Sequence, residues 1–345
     1  MAASNKIHLL KDLLILSRFN KYTPVFASFA GLWSTLLAGA ARLAEHPSAI
    51  SPAFVLRQTG LCFLAAYIFY GAGTVWNDWV DRDVDANVAR TKDRPLASGK
   101  VTTFQAMLWM VLQTLATWYL LNVMLDGNDL YVLNPLHALM IAVHRIKNGR
   151  GTDGCTYRWK HFLPVLVASF LYPFGKRPAA RKLYVYPQYI LGFIVAWPAV
   201  IGWAATYGQH QPFTETVRQC LPLCSMVYFW IIYLNTAYSY QDVADDRKMN
   251  VNSFYNLGGQ HLHLLLVALA SPVPVCMLLF LREFDSFWLW ATWLGGWTAS
   301  FAEQLIHFDP KEPASGGTLH KSNFMLGIWT IFACAVELLR SASKV

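Results

Sequence analysis

Charge is what this sequence has little of. Only 14% of its 345 residues are Asp, Glu, Lys or Arg, against about 25% in an ordinary soluble domain. That shortfall excludes a chain whose whole surface is bathed in water. Cysteine is also sparse, with six residues: Cys62, Cys155, Cys220, Cys224, Cys276 and Cys334. Four lie in or beside apolar runs. Only Cys220 and Cys224 are near neighbours, and no second Cys or His pair completes a zinc pattern. They read as core residues, with neither a disulfide framework nor a structural zinc. There are no short repeats and no low-complexity tracts, so residues 1–345 are expected to form one domain. The first twenty residues lack the long apolar core of a secretory signal and the Arg- and Ser-rich lead of a mitochondrial transit peptide.

What is present is apolar. The chain is 55% hydrophobic, with a mean hydropathy of +0.32, so most of it is expected to face lipid or a lipid-buried interior. Aromatic residues are plentiful: 14 Trp, 16 Tyr and 21 Phe. Interfacial belts use part of that supply, and the rest can line a pocket. The formal net charge of +8 comes from Lys and Arg in short loops. There they orient a membrane protein and attract anionic headgroups, and nucleic acid is not implied. Leu9, Leu10, Leu13, Leu14 and Leu16, with Lys6, Lys11 and Arg18 among them, predict an amphipathic helix over residues 1–20 lying on the membrane surface.

A spanning helix needs about 20 mostly apolar residues. Candidate spans are Thr23–Ala44, Phe54–Trp76, Phe104–Met124, Tyr131–Val143, Phe162–Phe174, Tyr186–Tyr207, Leu221–Tyr240, His261–Leu281, Phe287–Ile306 and Asn323–Leu339. The fourth and fifth are too short. Between them lies the polar stretch His144–His161, with Arg145, Lys147, Arg150, Arg158 and Lys160. Two readings fit it: a loop between half-length elements, or an insertion within one helix. Five basic residues cross hydrocarbon only at a cost of several kcal/mol each. The insertion is preferred, and it gives an all-α, polytopic membrane bundle of about nine transmembrane helices.

Two aspartate clusters follow long apolar spans. The first runs from Asn77 to Asp85. Asn77, Asp81 and Asp85 are four apart and share a helical face, Asp78 flanks it, and Asp83 points elsewhere. The second runs from Tyr238 to Asn250. There Asp242, Asp246 and Asn250 are four apart, with Asp245 beside them. A single cluster of this kind reads as a solvated helix end. Two with matching spacing, at the edge of a membrane, point to a ligand. Mg²⁺ takes hard oxygen ligands, commonly one or two carboxylates with substrate phosphates and waters. A diphosphate is itself anionic and sits against carboxylates only if divalent ions bridge them. Two facing clusters could hold two or more Mg²⁺ around one diphosphate and stabilise the charge that develops as it leaves. Arg90 and Arg94 offer bidentate phosphate contacts. Lys176 and Arg177 are weaker candidates, and Arg18 and Lys21 weaker still.

These residues resemble a known family. Asn77-Asp78-x-x-Asp81-x-x-x-Asp85, followed by Arg90 and Arg94-Pro95-Leu96, is similar to the first signature of the UbiA superfamily of intramembrane prenyltransferases. Tyr238-x-x-Gln241-Asp242-x-x-Asp245-Asp246 is similar to its second. Tyr172-Pro173-Phe174 with Lys176-Arg177, then Pro187-Gln188 and Leu191-Gly192, resembles the segment between them. The resemblance runs from about Leu13 to Leu339. It implies a nine-helix bundle around a central cavity that opens sideways to lipid, and Mg²⁺-dependent transfer of a prenyl group to an electron-rich acceptor. Carried over by position, Asn77, Asp78, Asp81, Asp85, Asp242 and Asp246 hold the metal–diphosphate, with Asp245 beside them. Arg90, Arg94, Lys176 and Arg177 contact phosphate. The chain departs from the family pattern in having Asn250 where a glycine is usual and Asn252 where a lysine is usual.

The sequence most resembles the fungal branch that acts on aromatic or polyketide-derived acceptors in meroterpenoid biosynthesis, with farnesyl the expected prenyl unit and an endomembrane such as the ER the expected location. The competing readings are 4-hydroxybenzoate transfer in ubiquinone synthesis, a membrane terpene cyclase, and a transporter. Tyr70, Trp76, Tyr233, Tyr238 and Tyr240 are candidate aromatic faces for an allylic cation. No catalytic base is marked.

Overall fold

The structure is a computed structural model that describes residues 2–88, 91–125, 152–207 and 211–343, with the side chains of 2–7 and 152–157 left aside. Arg90, Tyr131–Val143 and residues 144–151 lie outside the described residues, and with them the fourth candidate span.

The described chain is helical throughout. Its first elements are α1 (Ala2–Leu16), α2 (Thr23–Glu45), α3 (Pro52–Val80), the short α4 (Arg82–Asp85), α5 (Thr103–Leu125) and α6 (Thr152–Gly175). Next come α7 (Pro178–Lys182), α8 (Pro187–Ala196), α9 (Pro198–Tyr207), α10 (Phe213–Ser239), α11 (Val243–Lys248) and α12 (Tyr255–Gly258). The last are α13 (Leu262–Ala270), α14 (Pro272–Leu281), α15 (Phe287–Leu289), α16 (Gly296–His307) and α17 (Ser315–Ser343). Among the described residues, seven helical stretches are long and apolar enough to cross a membrane. The fifth candidate span is longer than its apolar run predicts. Helix α6 begins at Thr152, inside the polar stretch, so residues 152–161 are helical and contiguous with it.

Several prolines sit in first turns, where the missing N–H costs least, while Pro164, Pro173 and Pro222 lie inside helices. Pro24 and Pro52 sit in first turns, and Ser51 caps α3 by accepting from the Phe54 N–H at 3.1 Å. Pro198 and Pro272 each divide one apolar stretch into two shorter helices. At Gly202 the backbones of α9 and α2 approach so closely that a β-carbon would collide with the Gly31 carbonyl oxygen.

The core is aromatic. Trp33, Trp230, Trp293 and Trp297 are fully buried between α2, α10, α17 and the helical turn before α16. Three of their indole N–H groups find partners: the Gly327 carbonyl at 3.2 Å, Asn323 Oδ1 at 2.7 Å and Thr330 Oγ1 at 2.8 Å. Tyr233 belongs to this core and donates to Gln304, so it packs and does not face a ligand. Among the described residues, Cys62, Cys220, Cys224, Cys276 and Cys334 are free thiols.

Helix α1 packs through Leu9, Leu13 and Leu16 against Val75, Trp79, Leu96 and Met107, beside the end of α3. The chain reverses after it at Arg18, whose φ of 61° is the left-handed region. This fold-back brings residues 18–22 over the end of α3.

Candidate active site

Helices α2 and α17 begin, and α3 and α10 end, around one cavity of about 750 Å³, within the usual range for small-molecule sites. One part of its wall is polar: Arg18, Lys21, Asn77, Asp78, Arg94 and Lys176. The other is apolar, formed by Ala65 and Phe69 of α3, Leu121 and Met124 of α5, Phe162 and Val165 of α6, and Ile194 and Ile201. A ligand that fits both has a charged head and a hydrocarbon tail.

The first aspartate cluster is built around a turn. Helix α3 ends at Val80 and Asp81 adopts a non-helical conformation. Even so, the Asp81 N–H reaches the Asn77 carbonyl at 2.9 Å and the Asp85 N–H reaches that of Asp81 at 2.8 Å, which preserves the fourfold spacing. Asp78, Asp81 and Asp85 are 1%, 8% and 7% exposed. Buried carboxylates require partners, and each has them. Arg18 grips both oxygens of Asp78 at 2.7 and 2.9 Å. Arg94 bridges Asp78 at 3.1 Å and Asp85 at 2.6 Å. Lys176 donates to Asn77 Oδ1 at 2.6 Å and Asp81 at 2.9 Å, and Arg177 reaches Asp81 at 2.8 Å. Asp83 is solvent-exposed and pairs with Arg82 at 3.0 Å. Among the described residues, three buried carboxylates thus face four cations.

The electrostatics follow from this lattice. Burial works against the charge of Arg94, but Asp78 and Asp85 more than restore it and hold its pKa above the usual value. Burial likewise opposes the Lys176 ammonium; Tyr172 and Asp81 outweigh it, and its pKa is also raised. Burial raises the Asp85 carboxyl above its ordinary value in spite of Arg94, with Asp78 adding to the rise.

The second cluster is arranged differently from the sequence expectation. Helix α10 stops at Ser239, a tight turn carries Tyr240–Asp242, and α11 carries Asp245 and Asp246. Asn250 has a φ of 52° beyond the end of α11, so the face expected for Asp242, Asp246 and Asn250 is broken there. Asp246 accepts from the Tyr255 hydroxyl at 2.7 Å, and the exposed Asp245 pairs with Lys248 at 3.3 Å. Neither Asp242 nor Asp246 lines the cavity. Asn252, at the usual lysine position, is fully buried. It donates to the carbonyls of Gly175 and Val185, both at 2.8 Å, while its backbone N–H reaches the Lys176 carbonyl at 2.9 Å. It therefore fixes the turn that presents Lys176 and ties the second cluster's segment to the first.

The donor chemistry fits Mg²⁺. Asn77 and Asp78 present hard oxygen atoms at the cavity, with cations suited to phosphate around them. Among the described residues no three His, Cys, Asp or Glu side chains converge into a metal cage, because each first-cluster carboxylate turns onto a cation. Mg²⁺ needs no such cage when substrate phosphates and waters complete its shell.

Of the five candidate aromatic faces, Tyr70 and Tyr238 line the cavity. Trp76 stacks on Phe170 away from it, and Tyr240 donates to the Pro310 carbonyl. Two residues gain importance from the structure. Arg18, with Lys21 the weakest of the phosphate candidates in the sequence, contacts Asp78, the most buried aspartate among the described residues. His320, which no motif marks, lines the same cavity.

The UbiA prenyltransferase family model matches residues 31–144 and 157–331, an interruption that falls inside His144–His161. The chain is 59% identical over 343 residues to a polyprenyl transferase of Colletotrichum higginsianum, covering 99% of this chain and 100% of that protein. It is 59% identical over 310 residues to a polyprenyl transferase of Metarhizium anisopliae, covering 90% and 95%, and 46% identical over 351 residues to one of Aspergillus fumigatus, covering 96% and 89%. Among solved structures, a UbiA homologue from Archaeoglobus fulgidus bound to GPP and Mg²⁺ superposes with a TM-score of 0.59 at 13% identity, covering 96% of this chain and 99% of that one. A digeranylgeranylglyceryl phosphate synthase structure matches with the same TM-score at 18% identity, covering 96% and 99%.

Proposed function

Because the chain belongs to the UbiA prenyltransferase family and is a polyprenyl transferase by its full-length likeness to the fungal ones, we propose that it binds a prenyl diphosphate with Mg²⁺ and transfers the prenyl group to an aromatic or polyketide-derived acceptor in meroterpenoid synthesis. Farnesyl is the proposed prenyl unit, and an endomembrane such as the ER the proposed site. The observation that carries this reading is the single cavity whose wall passes from an aspartate–cation lattice to apolar side chains. Residues 1–345 are read as one domain carrying an insertion at 144–161, which the interrupted family match supports.

Asn77, Asp78, Asp81 and Asp85, with Asp242, Asp245 and Asp246, would hold the metal–diphosphate. Bound Mg²⁺ supplies positive charge to the departing diphosphate. Arg94, Lys176 and Arg177, with Arg90 and Arg18, neutralise phosphate oxygens. Arg does so through a bidentate fork and Lys as a point charge. The apolar wall holds the prenyl tail, so the reacting carbon is positioned beside the polar end. Tyr70 and Tyr238 turn π faces toward the developing allylic cation. Exclusion of water matters to this chemistry, because water would quench that cation.

The test is transfer activity in microsomes with Mg²⁺, a panel of prenyl diphosphates, and phenolic and pyrone acceptors. Asp81→Ala and Asp242→Ala should each abolish turnover in protein that still inserts. Near-normal activity in either variant would show that its cluster is wrongly assigned.

A further inference from the structure

The diphosphate half of the cavity is dense with ionic groups, while the reaction also needs somewhere for a proton to go. Alkylating a ring or enol carbon leaves that carbon with one proton too many. Aspartates engaged by cations are poor acceptors for it, and Arg94 and Lys176 are held in their charged forms by the carboxylates and Tyr172 around them.

His320, on the first turns of α17, lies on the cavity wall outside the aspartate lattice. Its Nδ1 is 2.8 Å from the Tyr22 hydroxyl. Its ring lies 4.7 Å from that of Tyr238 and 5.1 Å from that of Phe26. Its other nitrogen, Nε2, makes no hydrogen bond among the described residues. In the tautomer whose Nδ1–H donates to the Tyr22 oxygen, Nε2 is left as a lone-pair acceptor. Tyr22 is four residues beyond Arg18, and the Lys21 N–H bonds the Arg18 carbonyl at 2.9 Å. One short turn therefore holds both the Arg18–Asp78 pair and the partner of His320.

We propose that His320, oriented by Tyr22, is the catalytic base of prenyl transfer, and that the Tyr22–Phe26–Tyr238–His320 wall receives a planar, hydroxylated ring. This deepens the transferase reading and rests on it. The C1–O bond to the diphosphate breaks and its electron pair leaves with the diphosphate. The acceptor's nucleophilic carbon donates an electron pair to C1, forming the C–C bond. The proton on that carbon passes to Nε2, which restores the acceptor's conjugation, and the imidazolium then returns it to water. While charged, the imidazolium has the Tyr22 oxygen at Nδ1 and aromatic faces beside its ring.

Ionisation of the prenyl diphosphate does not use this base, so the two halves of the reaction can be read separately. The first assay follows diphosphate release from farnesyl diphosphate with Mg²⁺ and no acceptor. The second follows transfer to the phenolic and 4-hydroxy-2-pyranone probes. Both are run on wild-type, H320Q, H320N and Y22F protein in microsomes. In H320Q and H320N, acceptor-free release should stay within about twofold of wild type, while transfer falls by about 10²–10⁴, the usual worth of a general base. Y22F, which removes the hydrogen-bond partner of Nδ1, should lower kcat for transfer more than it raises the acceptor KM. Transfer at the wild-type rate in both His320 variants would overturn the proposal. So would loss of release together with transfer in both, which would make His320 a structural residue. A wild-type protein that releases diphosphate but transfers to none of the probes would remove the proposed acceptor class and this base with it. One that does neither would remove the transferase reading itself.

Discussion

Arg18→Ala tests whether the charge lattice works as the geometry implies. Arg18 holds both oxygens of Asp78, and its side chain is 14% exposed against 1% for Asp78. Removing the sole partner of a buried charge costs about 3–5 kcal/mol. Asp78 keeps Arg94 at 3.1 Å, so the loss should be smaller, about 2 kcal/mol, near the worth of a hydrogen bond to a charged group. Arg18 also occupies the left-handed region, which costs a non-glycine residue about 1–2 kcal/mol. Arg18→Gly removes that strain and should therefore melt above Arg18→Ala. Arg18→Lys keeps the charge but loses the second nitrogen that bonds the Ile15 and Leu16 carbonyls, and should fall between Ala and wild type. The same change should weaken binding of a prenyl thiodiphosphate with Mg²⁺ by about 10- to 100-fold, the equivalent of about 1.5–3 kcal/mol. Thermal unfolding in detergent and ligand titration check both arms. If Arg18→Ala melts and binds as wild type does, the lattice is not what holds this end of the cavity.

Three other changes probe different parts. Asn252→Ala removes two buried hydrogen bonds to the Gly175 and Val185 carbonyls; it should cost about 2 kcal/mol in unfolding measurements and raise the KM for prenyl diphosphate by loosening Lys176. Ala65→Phe places a ring in the apolar part of the cavity. Product chain-length analysis should show selectivity moving toward geranyl over geranylgeranyl diphosphate by roughly tenfold, in line with about 1–3 kcal/mol for overpacking. Gly202→Ala drives a β-carbon against the Gly31 carbonyl, where backbone and not a flexible side chain must yield; thermal unfolding should show a loss of at least about 1–3 kcal/mol.

Seven of the candidate spans were legible because a membrane imposes length and apolarity on every helix that crosses it. The aspartate ladder was legible because residues four apart share a face, and the backbone bonds around Asp81 keep that spacing through a turn. The corresponding face of the second cluster failed at Asn250, where the chain has already left α11 in a left-handed conformation. Arg18 was hard to weigh because its role depends on α1 folding back over α3, a contact across 60 residues. His320 and Tyr22 lie 298 residues apart, and neither belongs to a spaced motif, so only tertiary structure joins them. The aromatic candidates separated for the same reason: Tyr70 and Tyr238 reach the cavity, while Trp76, Tyr233 and Tyr240 pack elsewhere.

The central claim is that the aspartate lattice receives a metal–diphosphate at the polar end of an apolar cavity. Its most direct test is equilibrium binding of farnesyl thiodiphosphate to purified wild-type and Asp78→Asn protein, with Mg²⁺ and with EDTA. The account predicts binding to wild type that requires Mg²⁺, and weakening by at least about tenfold in Asp78→Asn. Equal binding with and without the metal, or equal binding to the two proteins, would contradict it.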